Sequence, residues 1–133
     1  MADSDFDASE IVWRVRRTFE REFGPLQHKF DVVPLTWTEA CGSQKQQVWN
    51  PGVYVWTDGK RVIKVGRSLS NARKRAMEHI VADTGAECGK LKEADSTRLI
   101  LFTLDPDDSH WAAALEIYLE RKLNPVVRSK REG

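Results

Sequence analysis

The sequence has few of the features that mark several specialised classes of protein. Only two of its 133 residues are cysteines, Cys41 and Cys88, which excludes a disulfide framework and a zinc site built from closely spaced thiolates. No run approaches the ~20 apolar residues of a membrane span, so we expect no membrane association. The start, Met1-Ala2-Asp3-Ser4-Asp5, is acidic and does not read as a secretory signal, which favours a cytoplasmic protein. We also find no nucleotide-binding loop and no nucleophilic serine or cysteine motif.

The composition is that of a globular domain, with 41% hydrophobic and 31% charged residues. A net charge of +1 conceals strong segregation of the charged side chains. The first ten residues carry four acidic and no basic side chains, whereas residues 60–79 carry seven basic against one acidic. Residues 121–133 carry five basic against one acidic. Two basic blocks in a nearly neutral chain indicate a surface that faces a polyanion, although solvated helix faces and a tail would give the same pattern.

The hydrophobic periodicity predicts an α+β fold, with a small three-stranded antiparallel sheet flanked by helices. Residues 30–37 form a β-like run that Pro34 breaks, which indicates an edge strand or a loop. We divide the chain into an N-terminal extension (1–48), a domain (49–128) and a basic tail (129–133). The first predicted elements are a helix over 9–23, capped by Ser9, and strands over 52–57 and 61–65, joined by a two-residue type I′ turn at Asp58-Gly59. A helix over about 70–83 and a strand over 97–104 follow. The last predicted helix covers about 110–123; Asp108 or Ser109 caps it, and Asn124-Pro125 ends it.

A set of short motifs follows these elements in order. Gly52-Val53-Tyr54 lies on the first strand of the hairpin and Lys64-Val65-Gly66 ends the second. Arg75 and His79 stand four residues apart on the next helix, which places them on one face. Glu116 follows on the last helix, with Pro125 nine positions later. This ordered set, over about residues 50–128, resembles that of the GIY-YIG endonucleases.

The resemblance implies a metal-dependent endonuclease that hydrolyses DNA phosphodiester bonds with one Mg²⁺ or Mn²⁺. Tyr54 would take a proton from the attacking water, and Lys64 and Arg75 would stabilise charge on the phosphate. His79 would assist Tyr54, and Glu116 would bind the metal. Each residue also has an ordinary interpretation: Tyr54 as a packed strand aromatic, His79 as a structural histidine, and the other three as solvent-exposed side chains.

Further basic residues are candidates for nucleic-acid contact. They are Arg67, Arg73, Lys74 and Arg128.

Two positions depart from the family pattern: Lys64 replaces the tyrosine of the second motif, and Arg128 stands where an asparagine is usual. They motivate an alternative, a catalytically inactive nucleic-acid-binding module on the same fold. A third possibility is a protein-interaction domain that docks through the arginine-rich helix at 9–23. RNA remains open as a partner beside DNA, and the protein is expected to be a monomer or a homodimer.

Overall fold

A computed structural model describes residues 2–42, 49–81 and 95–128 of the chain. Two short 3₁₀ helices, Gly24–Lys29 and Pro106–Asp108, accompany the main elements. In chain order these main elements are α1 (Ala2–Phe23), β1 (Phe30–Thr36), α2 (Trp37–Gly42), β2 (Gly52–Thr57), β3 (Val62–Ser68), α3 (Ala72–Val81), β4 (Arg98–Leu104) and α4 (Trp111–Leu123).

The α+β class is confirmed, but the sheet has four strands where the sequence predicted three. Its order is β1-β4-β2-β3, and every neighbouring pair is antiparallel. The additional strand is β1, whose seven residues all pair with β4. Pro34 is tolerated because β1 has a neighbour on one side only, so the missing amide hydrogen removes no ladder bond. The N-terminal extension therefore contributes a strand to the same sheet as the hairpin.

In the part of the chain that the structure describes, two helices cover each face of the sheet, and each face carries its own apolar cluster. The α1/α4 face is packed by α1 residues at helical spacing, including Ile11, Val15 and Phe19, and by Leu115 and Leu119 of α4. The Tyr118 hydroxyl also donates a hydrogen bond of 2.8 Å to the Thr18 carbonyl, which joins the two helices. The α2/α3 face is packed by Val33, Leu35, Ala40, Tyr54, Trp56, Ile63, Ala72, Ala76, Leu99 and Leu101.

The β2–β3 connection is longer than the predicted two-residue turn. It spans Asp58 to Arg61, and the Asp58 carboxylate accepts hydrogen bonds from the backbone amides of Lys60 (3.0 Å) and Arg61 (2.7 Å). A type I′ turn needs two residues with positive φ, whereas only Gly59 (φ 100°) has one here. The Asp58 amide also donates to the Arg61 carbonyl at 3.1 Å, so the carboxylate adds side-chain bonds to a loop of four residues where the Asp-Gly signal predicted two.

Other element boundaries also differ from the predicted ones. α1 begins at Ala2, so Ser9 is an internal residue and not the cap. No side chain caps α4, and it is Asp105 that accepts the amide of Asp107 at the start of the preceding 3₁₀ helix. β3 continues beyond Gly66 to Ser68. α3 is described as far as Val81, and residues 82 and 83 of the predicted helix lie outside the described residues.

The outer edge of β3 is partly covered by the segment that follows α4. The amides of Val126 and Val127 donate to the carbonyls of Val62 (3.1 Å) and Ile63 (2.8 Å). This contact protects one end of an edge strand from pairing with another chain. Across the described residues, none of the helices has the length and apolar character needed to cross a membrane.

Candidate functional site

Tyr54 and Gly66, one residue from each hairpin motif, face each other across the β2–β3 ladder. The Tyr54 side chain is fully buried and lies over Gly66 on the α2/α3 face. A Cβ atom built at Gly66 would overlap the phenol oxygen and ring carbons of Tyr54. Glycine is therefore required here by close approach, because only a residue without a side chain leaves room for the phenol.

Lys64, the residue that departs from the family pattern, is placed by an irregularity in the same ladder. It pairs with Trp56, and the register shifts between Trp56 and Thr57 so that Thr57 pairs with Val62. Ile63 is the extra residue of this bulge. Lys64 therefore shares the α2/α3 face with Trp56 and Tyr54, where it is half-buried.

Arg67 and Glu116 meet although 49 positions separate them in the sequence. Arg67 pairs with Val53, a member of the cluster on the α1/α4 face, so its side chain lies on that face. There its Nη1 donates to Glu116 Oε1 of α4 at 2.8 Å. Glu116 is 6% exposed, so it is not the exposed helix residue of the ordinary interpretation. The ion pair supplies the partner that a buried carboxylate needs.

The basic residues of α3 are of two kinds. Arg73 Nε and Nη2 each donate at 2.6 Å, to the carbonyls of Ala40 and Cys41, and its guanidinium lies 5.7 Å from the ring centroid of Trp49. Arg73 therefore fastens α3 to α2. Lys74 and Arg75 are exposed on the same helix. His79 belongs to α3, and its side chain lies outside the described residues.

Arg128 lies at the end of α4, where its guanidinium and a backbone amide donate to the same carbonyl oxygen. Its Nη1 donates to the Glu120 carbonyl at 3.2 Å, and the amide of Asn124 donates to the same carbonyl at 3.2 Å. Asn124 adopts a left-handed conformation (φ 50°), which ends the helix as the Asn-Pro signal predicted. Arg128 thus has a local role at the helix end.

The candidate residues fall into two groups on the two faces of β3. The Tyr54 phenol and Lys64 lie on the α2/α3 face, whereas Glu116 and Arg67 lie on the α1/α4 face. The groups are adjacent along the chain, because Gly66 under the phenol directly precedes Arg67. The sequence predicted Arg67 as a phosphate contact but did not indicate its pairing with Glu116.

Glu116 is the described residue that is chemically suited to a metal ion at this position. Within the described ranges, no group of three or more His, Cys, Asp or Glu side chains could hold a metal. Mg²⁺ does not require such a group, since it keeps several waters and often binds through one carboxylate. The donor fits the ion once Arg67 leaves it, and the Arg67 side chain is 37% exposed, so it can move without opening the core.

Comparison of the chain with known proteins identifies no relative. No protein-family model, curated protein or solved structure matches it.

Proposed function

We propose that the protein is a metal-dependent endonuclease that hydrolyses phosphodiester bonds of DNA with one bound metal ion. The observation that supports this best is the 2.8 Å contact between Arg67 and Glu116. It joins the residue that follows the Lys64-Val65-Gly66 motif to the carboxylate of the last helix. A phosphate-binding cation beside a metal-binding carboxylate is what hydrolysis of a phosphodiester needs.

In this proposal Glu116 would hold Mg²⁺ or Mn²⁺, which would supply an activated water and neutralise charge on the phosphate. Arg67 would then be free of Glu116 and would contact the phosphate oxygens. Arg75 and Lys74, exposed on α3, add positive charge for the DNA backbone. Lys64, the first residue of the second motif, supplies a further cation.

Tyr54 is the proposed proton acceptor, with His79 assisting. In the described structure the phenol is fully buried against Gly66, which fits a packing role. Tyr54 lies on the α2/α3 face and Glu116 on the α1/α4 face, so the role as a base requires that a water held near Glu116 reach the phenol oxygen past the edge of β3. Tyr54 therefore needs a test of its own. A Tyr54→Phe protein that folds but cleaves far more slowly would support the role, and full activity would leave Tyr54 with packing alone.

A second candidate function is a nucleic-acid-binding module without hydrolysis. The same ion pair favours it, because a carboxylate satisfied by arginine needs no metal. Binding to nucleic acid that weakens with salt, without cleavage in Mg²⁺ or Mn²⁺, would support this candidate.

A plasmid-nicking assay in millimolar MgCl₂ separates the two functions. We expect the wild-type protein to nick supercoiled DNA and EDTA to abolish the reaction. Glu116→Gln should lower the rate at least about a hundredfold, since the metal contributes several kcal/mol to the transition state. Glu120→Gln is the matched control, one turn further along the same helix and also buried, and should retain most of the activity. Undiminished nicking by a folded Glu116→Gln protein would contradict the assignment of Glu116.

A further inference from the structure

Trp13 is an apolar side chain that α1 leaves largely outside the core. It is 64% exposed, more than any other large hydrophobic side chain among the described residues. The guanidinium of Arg17 lies 5.7 Å from its ring centroid, a cation–π distance. Burial in the core therefore does not explain this tryptophan, whose ring lies beside an arginine.

Two grooves meet at Trp13. One, of about 490 Å³, lies between α1 and the β1 edge of the sheet, and Arg16, Arg17 and Arg98 line it together with Trp13. The other, of about 450 Å³, lies between α1 and the β2–β3 loop, and Arg14 and Lys60 line it together with Trp13. The indole thus stands between two basic concavities.

The charges lining the two grooves favour an anionic occupant. Five cations face three carboxylates there, which leaves an excess of two positive charges. Two of the carboxylates have partners, one of them Arg17 itself. Glu20 lies 3.6 Å from Arg17 Nη1, and Glu39 Oε1 accepts the Thr36 amide at 2.9 Å. An aromatic platform between positively charged grooves is how proteins hold single-stranded nucleic acid: bases stack on the ring and phosphates follow the cations.

We propose that Trp13 and these two grooves form a binding surface for single-stranded DNA. One base stacks on the exposed indole, and the phosphates on either side enter the groove of Arg16 and Arg17 and the groove of Arg14 and Lys60. The first groove adjoins β1, at the opposite edge of the sheet from β3. The second groove adjoins the β2–β3 loop, which leads into the start of β3, whereas Arg67, the partner of Glu116, lies near the end of that strand. The surface therefore shares no residue with the proposed hydrolytic site and does not depend on hydrolysis.

The test is fluorescence anisotropy with a short fluorescein-labelled oligo(dT), in EDTA so that no cleavage occurs. We expect Trp13→Ala to weaken binding about tenfold, as loss of one stacked base does, while the salt dependence stays the same. The double variant Arg16→Gln/Arg17→Gln should instead reduce the slope of log K against log salt by about 1.4, the loss of two phosphate contacts on a single strand. A duplex of the same length should not respond to Trp13→Ala, because its bases are already stacked.

Trp49→Ala is the matched control. Trp49 is 52% exposed and has its own arginine, Arg73, at the same 5.7 Å, but it lies beside α2 and α3. This variant should bind oligo(dT) like the wild type.

Wild-type affinity in a folded Trp13→Ala protein, or an equal loss in Trp49→Ala, would overturn the proposal. Failure of the wild type to bind oligo(dT) at low salt would also overturn it and would favour a protein partner for α1. Tighter binding of oligo(rU), with the same dependence on Trp13, would contradict the choice of DNA. A protein that never nicks plasmid but binds oligo(dT) through Trp13 would refute the nuclease proposal alone.

Discussion

Close approach between Tyr54 and Gly66 fixes two motif residues at once. The phenol occupies the space that a Cβ at position 66 would take, so each residue limits what the other can be. This requirement is steric and holds whether or not the phenol takes part in chemistry. The motif would therefore be needed for packing even in a protein that had lost hydrolysis.

We predict that Gly66→Ala lowers the free energy of unfolding by about 1–3 kcal/mol, because the new methyl group overlaps the Tyr54 ring. Urea denaturation at neutral pH measures this loss. In a Tyr54→Leu background the same substitution should cost clearly less, since the ring is gone. Gly24→Ala is the control, because a Cβ there has no neighbour within 4 Å. An equal cost of Gly66→Ala in both backgrounds would contradict the steric explanation.

The Arg67–Glu116 pair serves the fold and the proposed site together. Glu116 lies among apolar residues of α4, and removing Arg67 would leave a buried charge without this partner. The Arg67 side chain is more exposed than that of Glu116, so the ion pair would separate by movement of the arginine into solvent. In the nuclease proposal a metal ion would compete with Arg67 for this carboxylate, and the proposal requires that the ion displace the arginine.

At the scale of single elements, the β2–β3 hairpin is closed by one carboxylate. Asp58 accepts from two backbone amides and from Arg61 Nε at 3.1 Å. Burial alone would raise the pKa of Asp58, but the backbone hydrogen bonds from Arg61 and Lys60, together with the Arg61 guanidinium, more than offset it and lower the pKa below its ordinary 3.8. The ionised form thus stabilises the folded hairpin.

We predict that Asp58→Asn lowers the free energy of unfolding at pH 7 by about 1 kcal/mol, the net contribution of one typical hydrogen bond, because solvent weakens the charge at this partly exposed site. Because the folded pKa is depressed, the stability from the charge is present above about pH 4 and is lost as pH falls through the folded value. Urea denaturation at pH 7, 5 and 3 should therefore show the two proteins converging at the lowest pH. A difference that is the same at all three pH values would contradict the role of the charge.

The elements with strong hydrophobic patterns could be predicted from the sequence, and those governed by context could not. β2, β4 and α4 follow from their apolar periodicity because nothing in the sequence competes with it. The sequence does not decide between a strand and a loop for β1, since Pro34 is acceptable in a strand only at an edge, and an edge is a property of the finished sheet. The β2–β3 loop differs because the Asp58 carboxylate binds the amides of Lys60 and Arg61, a bonding pattern that the Asp-Gly pair alone does not indicate.

At the scale of the whole molecule, the sequence predicts which helix or strand carries each candidate residue, but not which face of the sheet that residue lies on. The side on which a strand residue points depends on its register, and the bulge at Ile63 changes that register between Trp56 and Thr57. Which helices cover which face is set by tertiary packing. For these reasons the motifs gave no sign that Tyr54 and Glu116 lie on opposite faces of β3, or that Arg67 reaches Glu116.

The sheet edges also organise the molecule. β3 carries Gly66 and Arg67 at one edge, and the chain after α4 covers the far end of that strand at Val62 and Ile63. β1 forms the other edge, next to the groove that begins at Trp13. Hydrolysis and single-strand binding, as proposed, therefore rest on different residues and can be disabled separately.

A crystal structure of the protein soaked in MnCl₂, with the ion located by anomalous diffraction, shows directly whether Glu116 binds a metal. We expect a Mn²⁺ ion about 2 Å from a carboxylate oxygen of Glu116, with the Arg67 guanidinium displaced from that carboxylate. The Arg67–Glu116 contact kept at 2.8 Å, with no anomalous peak at Glu116, would contradict this expectation.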